Sequence, residues 1–192
     1  QKSNSINGQW LNVEANLQKL AYFPFAGEEK EFPLLIEEIV TYPSSEDIDR
    51  WEIDGIISSY ETKFNVAQKD RSHNLTLAAQ AIDNTLVQPG EEFSFNTVVG
   101  PRSSAKGYRN AMVISNDNFV EQLGGGICQV SSTLYNAALL GGFDITERSA
   151  HSLLITYVPP GLDATVSYGA LDFKFLNNRE LPILIHTKVK NG

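Results

Sequence analysis

The chain contains a single cysteine, Cys128, and it stands in Gly124-Gly125-Gly126-Ile127-Cys128-Gln129-Val130-Ser131-Ser132. Three glycines before a stretch with helical apolar spacing (Val130, Leu134, Ala137, Ala138) predict a helix over Ile127–Leu140 with the thiol in its first turn. Unpaired N–H groups and the helix dipole put partial positive charge there, which favours a thiolate over the free thiol's value of about 8.5. The glycines let a substrate or another backbone come close, and the Cys128 amide is placed to act as an oxyanion donor. A thiol nucleophile needs a base, and His151 is the candidate, since it lies shortly after this helix, whereas His73 precedes an earlier helix and His186 is late in the last strand. Asp163, or alternatively Asp172 one strand further on, would orient the imidazole. Gln122 and Arg148, with Gly124, Gly125 and Gly126, are the candidate substrate contacts. The chemistry would be attack on an amide or acyl carbonyl.

Each of these residues has a structural reading as well. A cysteine in an amphipathic helix is a small hydrophobe, and an aspartate beside Pro159-Pro160-Gly161 is a turn cap. Gln122 is a solvated loop residue, Arg148 a surface ion pair, and Arg102, Lys106 and Arg109 either meet an anionic substrate or, by default, are solvated loop charges. Ser131, Ser132 and Thr133 are expected to bond back to the helix. No C-x-x-C or H-x-x-x-H spacing points to a metal, and Cys128-Gln129 stands where a phosphate-binding loop would carry Lys-Ser/Thr, so neither metal nor cofactor is implied.

The elements that must position these groups read as α+β. Before the central helix come a helix near Leu11–Ala21 with Asn12 as its cap, a strand over Phe32–Val40, a linker at Pro43–Asp47 and a main body from near Asp49. A helix follows over Arg71–Leu86, closed by the turn Asn84–Gly90, then a strand at Phe93–Asn96, a loop over Gly100–Tyr108 and strands at Ala111–Ile114 and Phe119–Val120. After the central helix the pattern is all strand: Asp144–Glu147, Ser152–Val158, Ala164–Tyr168, Asp172–Leu176 and Ile183–Val189. One central helix followed by a run of strands predicts a mostly antiparallel sheet packed on that helix. Cysteine on a helix N-terminus, histidine and aspartate on neighbouring strands is similar to the transglutaminase-like and papain-like layout.

Composition bounds the partners. Of 192 residues, 42% are apolar, enough for a packed core, and 23 acidic against 15 basic side chains give a net charge of −8. A chain so acidic, without a Lys/Arg cluster, is a poor nucleic-acid binder. No apolar run approaches the roughly 18–20 residues of a membrane span, and Gln1–Gly8 carries no apolar signal-like region.

Several motifs together resemble the VanW domain family. They are Phe93-Ser94-Phe95-Asn96, Val99-Gly100, Gly107-Tyr108, the run Gly124–Asn136, Glu147-Arg148, His151-Ser152, Tyr157-Val158-Pro159-Pro160-Gly161, Asp163-Ala164-Thr165-Val166 and Phe175-Leu176-Asn177-Asn178. The match covers roughly residues 60–188, and the domain is drawn over 46–192. Residues 1–45 resemble the tail of the peptidoglycan-binding domain that often precedes it, plus a linker. The resemblance implies a Gram-positive envelope protein, extracellular and anchored to the membrane only through a segment outside this sequence. Its implied partner is cell-wall peptidoglycan or its stem peptides, with a link to glycopeptide resistance. Either a cysteine hydrolase or transpeptidase, or a non-catalytic binding or scaffold module, fits that setting.

Overall fold

The structure, a computed structural model, describes residues 6–23, 31–40, 44–50, 55–115 and 118–190. The chain divides into two compact units, residues 1–54 and 55–192. In the first, β1 (Gly8–Leu11) and β2 (Ile36–Ile39) pair antiparallel, with Gly8 opposite Ile39. Between them runs α1 (Val13–Ala21), where the Asn12 side chain accepts from the Ala15 N–H at 3.0 Å, as an N-cap should. Buried Asn16 bonds both the N–H and the carbonyl of Leu35, at 2.7 and 2.8 Å, and so fastens the helix to the approach of β2. β1 is four residues without alternation, which is why the sequence pattern does not announce it. The helix α2 (Ser45–Arg50) begins where Ser44 and Asp47 bond each other reciprocally. The Pro43 end of the expected linker and Ile53 lie outside the described residues.

The second unit opens its regular structure with α3 (Lys69–Ile82), whose buried face is Asn74, Leu75, Ala78, Ala79 and Ile82. Its end differs from the sequence expectation. Asn84, at φ +59°, turns the chain, and Thr85–Val87 becomes strand β3 instead of more helix. Strand β4 (Glu92–Ser94) runs directly into α4 (Phe95–Val99), because the Ser94 hydroxyl caps the Thr97 N–H at 3.1 Å. Strands β5 (Asn110–Ser115) and β6 (Asn118–Leu123) form a hairpin, and the Asn116-Asp117 part of its expected turn lies outside the described residues. Then come α5 (Ile127–Leu140), β7 (Asp144–Glu147), β8 (Lys174–Leu176) and β9 (Ile183–Ile185).

The architecture is α+β, with three small antiparallel sheets among the described residues of this unit, β3–β9, β4–β8–β7 and β5–β6, in place of one extended sheet. The expected strands Ser152–Val158 and Ala164–Tyr168 are not strands, apart from an isolated bridge between Ser167 and Leu171. Around the second of them, backbone groups go elsewhere. The Ala164 N–H donates to Ser132 Oγ at 2.9 Å, its carbonyl accepts from Ser131 Oγ at 2.6 Å, and the Leu162 carbonyl accepts from Asn136 at 2.6 Å. Polar side chains of α5 thus do the work of a strand neighbour. Beneath, Phe95 and Phe173 are fully buried, Phe93 stacks on Phe175 at 5.1 Å, and Tyr135 meets Phe173 edge-on at 5.7 Å. Each buried ring contributes about 1.5–3 kcal/mol of transfer free energy, so this aromatic layer is the rigid floor on which α5 sits.

Candidate active site

Helix α5 has no side-chain N-cap, since Gly126, at φ +105°, occupies that position. Of the first N–H groups, that of Ile127 reaches the Gly124 carbonyl at 3.2 Å and that of Gln129 the Gly126 carbonyl at 2.9 Å. Among the described residues nothing accepts from the Cys128 N–H. The thiol, half-buried, is the second residue of the helix and contacts the Val166 carbonyl at 3.6 Å.

The glycine turn is shaped by the protein itself. A Cβ on Gly125 would stand 2.5 Å from the Ala111 backbone, one on Gly124 3.0 Å from Arg102 Cγ, and one on Gly126 2.8 Å from Arg71 Cγ. Gly125 therefore admits the hairpin, not a substrate, while Gly124 and Gly126 each carry an arginine against them. Fully buried Asn74 of α3 locks this arrangement, donating to the Arg109 and Gly125 carbonyls at 2.9 and 3.1 Å and accepting from the Arg109 N–H at 2.9 Å.

His151 and Asp163 meet beside Cys128. The imidazole Nδ1 is 2.6 Å from Asp163 Oδ2, the same oxygen accepts from the His151 N–H at 2.6 Å, and both side chains are 8% exposed. With Nδ1 engaged by the carboxylate, Nε2 is the ring nitrogen left for proton exchange. Burial pushes the imidazole down, but hydrogen bonding and charge from Cys128 and then Asp163 outweigh it, and its pKa is raised. Burial pushes the Asp163 carboxyl up, and the His151 N–H, ring and charge reverse that, so its pKa is lowered. Both directions stabilise the imidazolium–carboxylate pair that forms when the ring takes up a proton.

Arg148 faces Asp163. Its Nη2 bonds Asp163 Oδ1 at 2.9 Å and the Gly161 carbonyl at 2.8 Å, its Nε bonds the Asp163 carbonyl at 2.6 Å, and it lies over the Tyr135 ring. It fixes the carboxylate, a positioning contact beside the substrate contact that the sequence suggests. Gln122 is exposed on β6 opposite Ala111. Asp172 does not orient the histidine. Its oxygens accept from Ser94 Oγ at 2.6 Å, the Asn96 N–H at 2.9 Å and its neighbour Phe173 N–H at 2.8 Å, which joins α4 to β8.

The profile of the family described as "VanW like protein" matches residues 70–192, a span holding Cys128, His151 and Asp163. The chain belongs to the VanW family. It is 42% identical over 193 aligned residues, 96% of this chain, to the uncharacterized protein YoaR of Bacillus subtilis, strain 168. It is 31% identical over 136 residues, 68% of this chain, to the vancomycin B-type resistance protein VanW of Enterococcus faecalis, strain ATCC 700802 / V583. It spans 61% and 50% of the length of these two curated relatives. No solved structure matches it.

Four site residues of this VanW domain escape the sequence pattern. Arg71 and Asn74 share a face of α3 with Ala78 and Ile82, so polar groups at apolar helix positions were the available signal. Gln129, buried beside the thiol, accepts from Arg71 Nη2 at 2.7 Å and donates to Thr62 and the Lys63 carbonyl. Tyr157 stands edge-on to His151, its hydroxyl buried without a hydrogen-bond partner among the described residues. Burial above all, then the charge of Cys128, pushes its ionisation far up, so the hydroxyl is a neutral donor.

Proposed function

We propose that the chain is a cysteine-dependent acyl-transfer enzyme, a hydrolase or transpeptidase, of transglutaminase-like layout, acting at the cell surface on cell-wall peptide. The observation that supports it is the series Cys128, His151, Asp163 at the start of α5, with the carboxylate on the ring nitrogen facing away from reaction. In this reading His151 Nε2 takes the thiol proton as sulfur attacks the carbonyl carbon. The C–S bond forms, the free Cys128 N–H receives the oxyanion, and Tyr157 is the nearby neutral donor. Collapse breaks the C–N bond, and His151 returns the proton to the departing amine. Water, or a second amine, then attacks the thioester through the same base and restores the thiol. The name of the enterococcal relative, which ties that protein to vancomycin resistance, supports wall peptide as substrate. Residues 1–45 are, in the same reading, the end of a wall-binding domain.

Purified sacculi incubated with the wild type should release peptide fragments or free amine, and Cys128→Ala and His151→Ala should lower the rate by at least about a thousandfold. Fragment release unchanged in Cys128→Ala would sink the enzyme. Binding to sacculi with no release by any variant would leave the non-catalytic wall-binding module as the function.

A further inference from the structure

Two arginines flank the glycine turn that delivers the thiol, one from each side. Arg102 lies against Gly124 and Arg71 against Gly126, with their side-chain carbons 3.0 and 2.8 Å from where a Cβ would stand. Both guanidiniums interact electrostatically with Cys128, and neither has a carboxylate within ion-pair distance among the described residues. In a chain of net charge −8 that is an uneven distribution of partners. A neighbouring cation shows the contrast: Arg109 pairs with Asp70 at 3.0 Å.

The two arginines differ in what they have left to give. Arg71 Nη2 is engaged by Gln129. Arg102 Nη1 donates to the Gly100 carbonyl at 3.1 Å, while its Nη2 is buried and has no acceptor. The guanidinium is held between the Phe95 and Tyr168 rings, at 5.8 and 6.0 Å from their centroids. Asp172 interacts with it electrostatically but accepts no hydrogen bond from it, its oxygens being taken by Ser94, Asn96 and Phe173. A buried cationic donor without an acceptor is costly unless a ligand completes it, and a carboxylate is the acceptor a guanidinium fork fits best.

We infer that the site is built for an anionic acyl substrate, a peptide with a free carboxylate next to the scissile carbonyl, and that the half-buried Arg102 guanidinium binds that carboxylate while Arg71 adds charge from beside Gly126. The inference rests on Cys128 being the attacking group, and it names the substrate class for that chemistry. Arg102 is then a specificity-determining residue and Arg71 a positioning one.

The test needs no turnover. Iodoacetate and iodoacetamide alkylate the same sulfur and differ in one carboxylate, so the ratio of their rates at Cys128 reads anion recognition directly. The expected ratio favours iodoacetate in the wild type and falls about tenfold or more in Arg102→Gln, with Arg102→Lys between them because it keeps the charge and loses the fork. Circular dichroism of each variant guards against a folding artefact, and the helix terminus, common to all, cancels in the comparison. A ratio unchanged in Arg102→Gln overturns the assignment, as does a wild type that prefers iodoacetamide. Should the sulfur discriminate as expected while sacculi stay intact, the enzyme reading fails and the anion site stands. Should sacculi be cut without any such discrimination, the reverse holds.

Discussion

Asp163 is the residue on which the site's electrostatics turn. It accepts from the backbone and ring of His151 and from Arg148, so it determines both where the imidazole points and which nitrogen is free. Asp163→Asn keeps the shape but removes the charge, and the amide can donate to Nδ1, which would reverse the tautomer. Turnover should fall by about a thousandfold or more, and the acid-side limb of the pH–rate profile should move, since a contribution that raises the imidazole pKa is gone. A variant with wild-type profile and rate would show that the carboxylate is only a turn cap. Tyr157→Phe separates catalysis from packing at the same scale. Deleting a buried hydroxyl with no partner should leave thermal stability equal or slightly higher, whereas an oxyanion donor's loss should lower kcat on the order of a hundredfold. Higher stability with unchanged kcat would remove Tyr157 from the mechanism.

At the scale of elements, the turn before α5 is where three pieces converge: α3 through Asn74, the β5–β6 hairpin through Ala111, and α5 itself. Gly125→Ala should be among the most damaging substitutions in the chain, because its methyl would meet Ala111 backbone, not a side chain free to swing away. Urea unfolding should show a loss of about 2–4 kcal/mol, against under about 1 kcal/mol for Gly55→Ala, where nothing stands within 4 Å of the added carbon. Equal losses would mean that the hairpin adjusts freely. This convergence also explains what the sequence made legible. The helix Ile127–Leu140 has the bounds its glycines and apolar stripe predict, because both signals are local. The second of the two expected strands, Ala164–Tyr168, reads as a strand, yet Ala164 is partnered by Ser131 and Ser132 of α5, as Leu162 before it is by Asn136, and nothing local distinguishes that pairing from a ladder. For the same reason Cys128, His151 and Asp163 could be named from type and order, while Arg71 and Asn74 sit on a helix far upstream and announce themselves only as polar breaks in an apolar face.

For the whole molecule, acid is the condition that tests how these local bonds add. Three carboxylates of the second unit have lowered pKa values: Asp163; Asp83, held chiefly by the Thr187 N–H and then by His186; and Glu147, held by Lys174 and the Asp172 N–H. A depressed carboxyl contributes stability that is complete above its unfolded value and disappears as pH falls through its folded one. His151 works in the opposite sense: its raised pKa adds stability that is complete below the unfolded value near 6.5 and is lost as pH climbs through the folded one. Stability measured by urea unfolding should therefore be greatest in the mildly acidic range, between the unfolded carboxylate values and the unfolded imidazole value, and decline on both sides. Asp83 and Glu147 are the more exposed of the three acids, with side chains 27% and 38% accessible, so solvent screening leaves most of the acid-side slope to Asp163. Asp163→Asn should flatten that slope and, by lowering the imidazole pKa, the alkaline one as well. Glu147→Gln should change the acid side only slightly. If the two variants proved alike, the acid-side slope would not be centred on the buried pair but spread over the −8 surface.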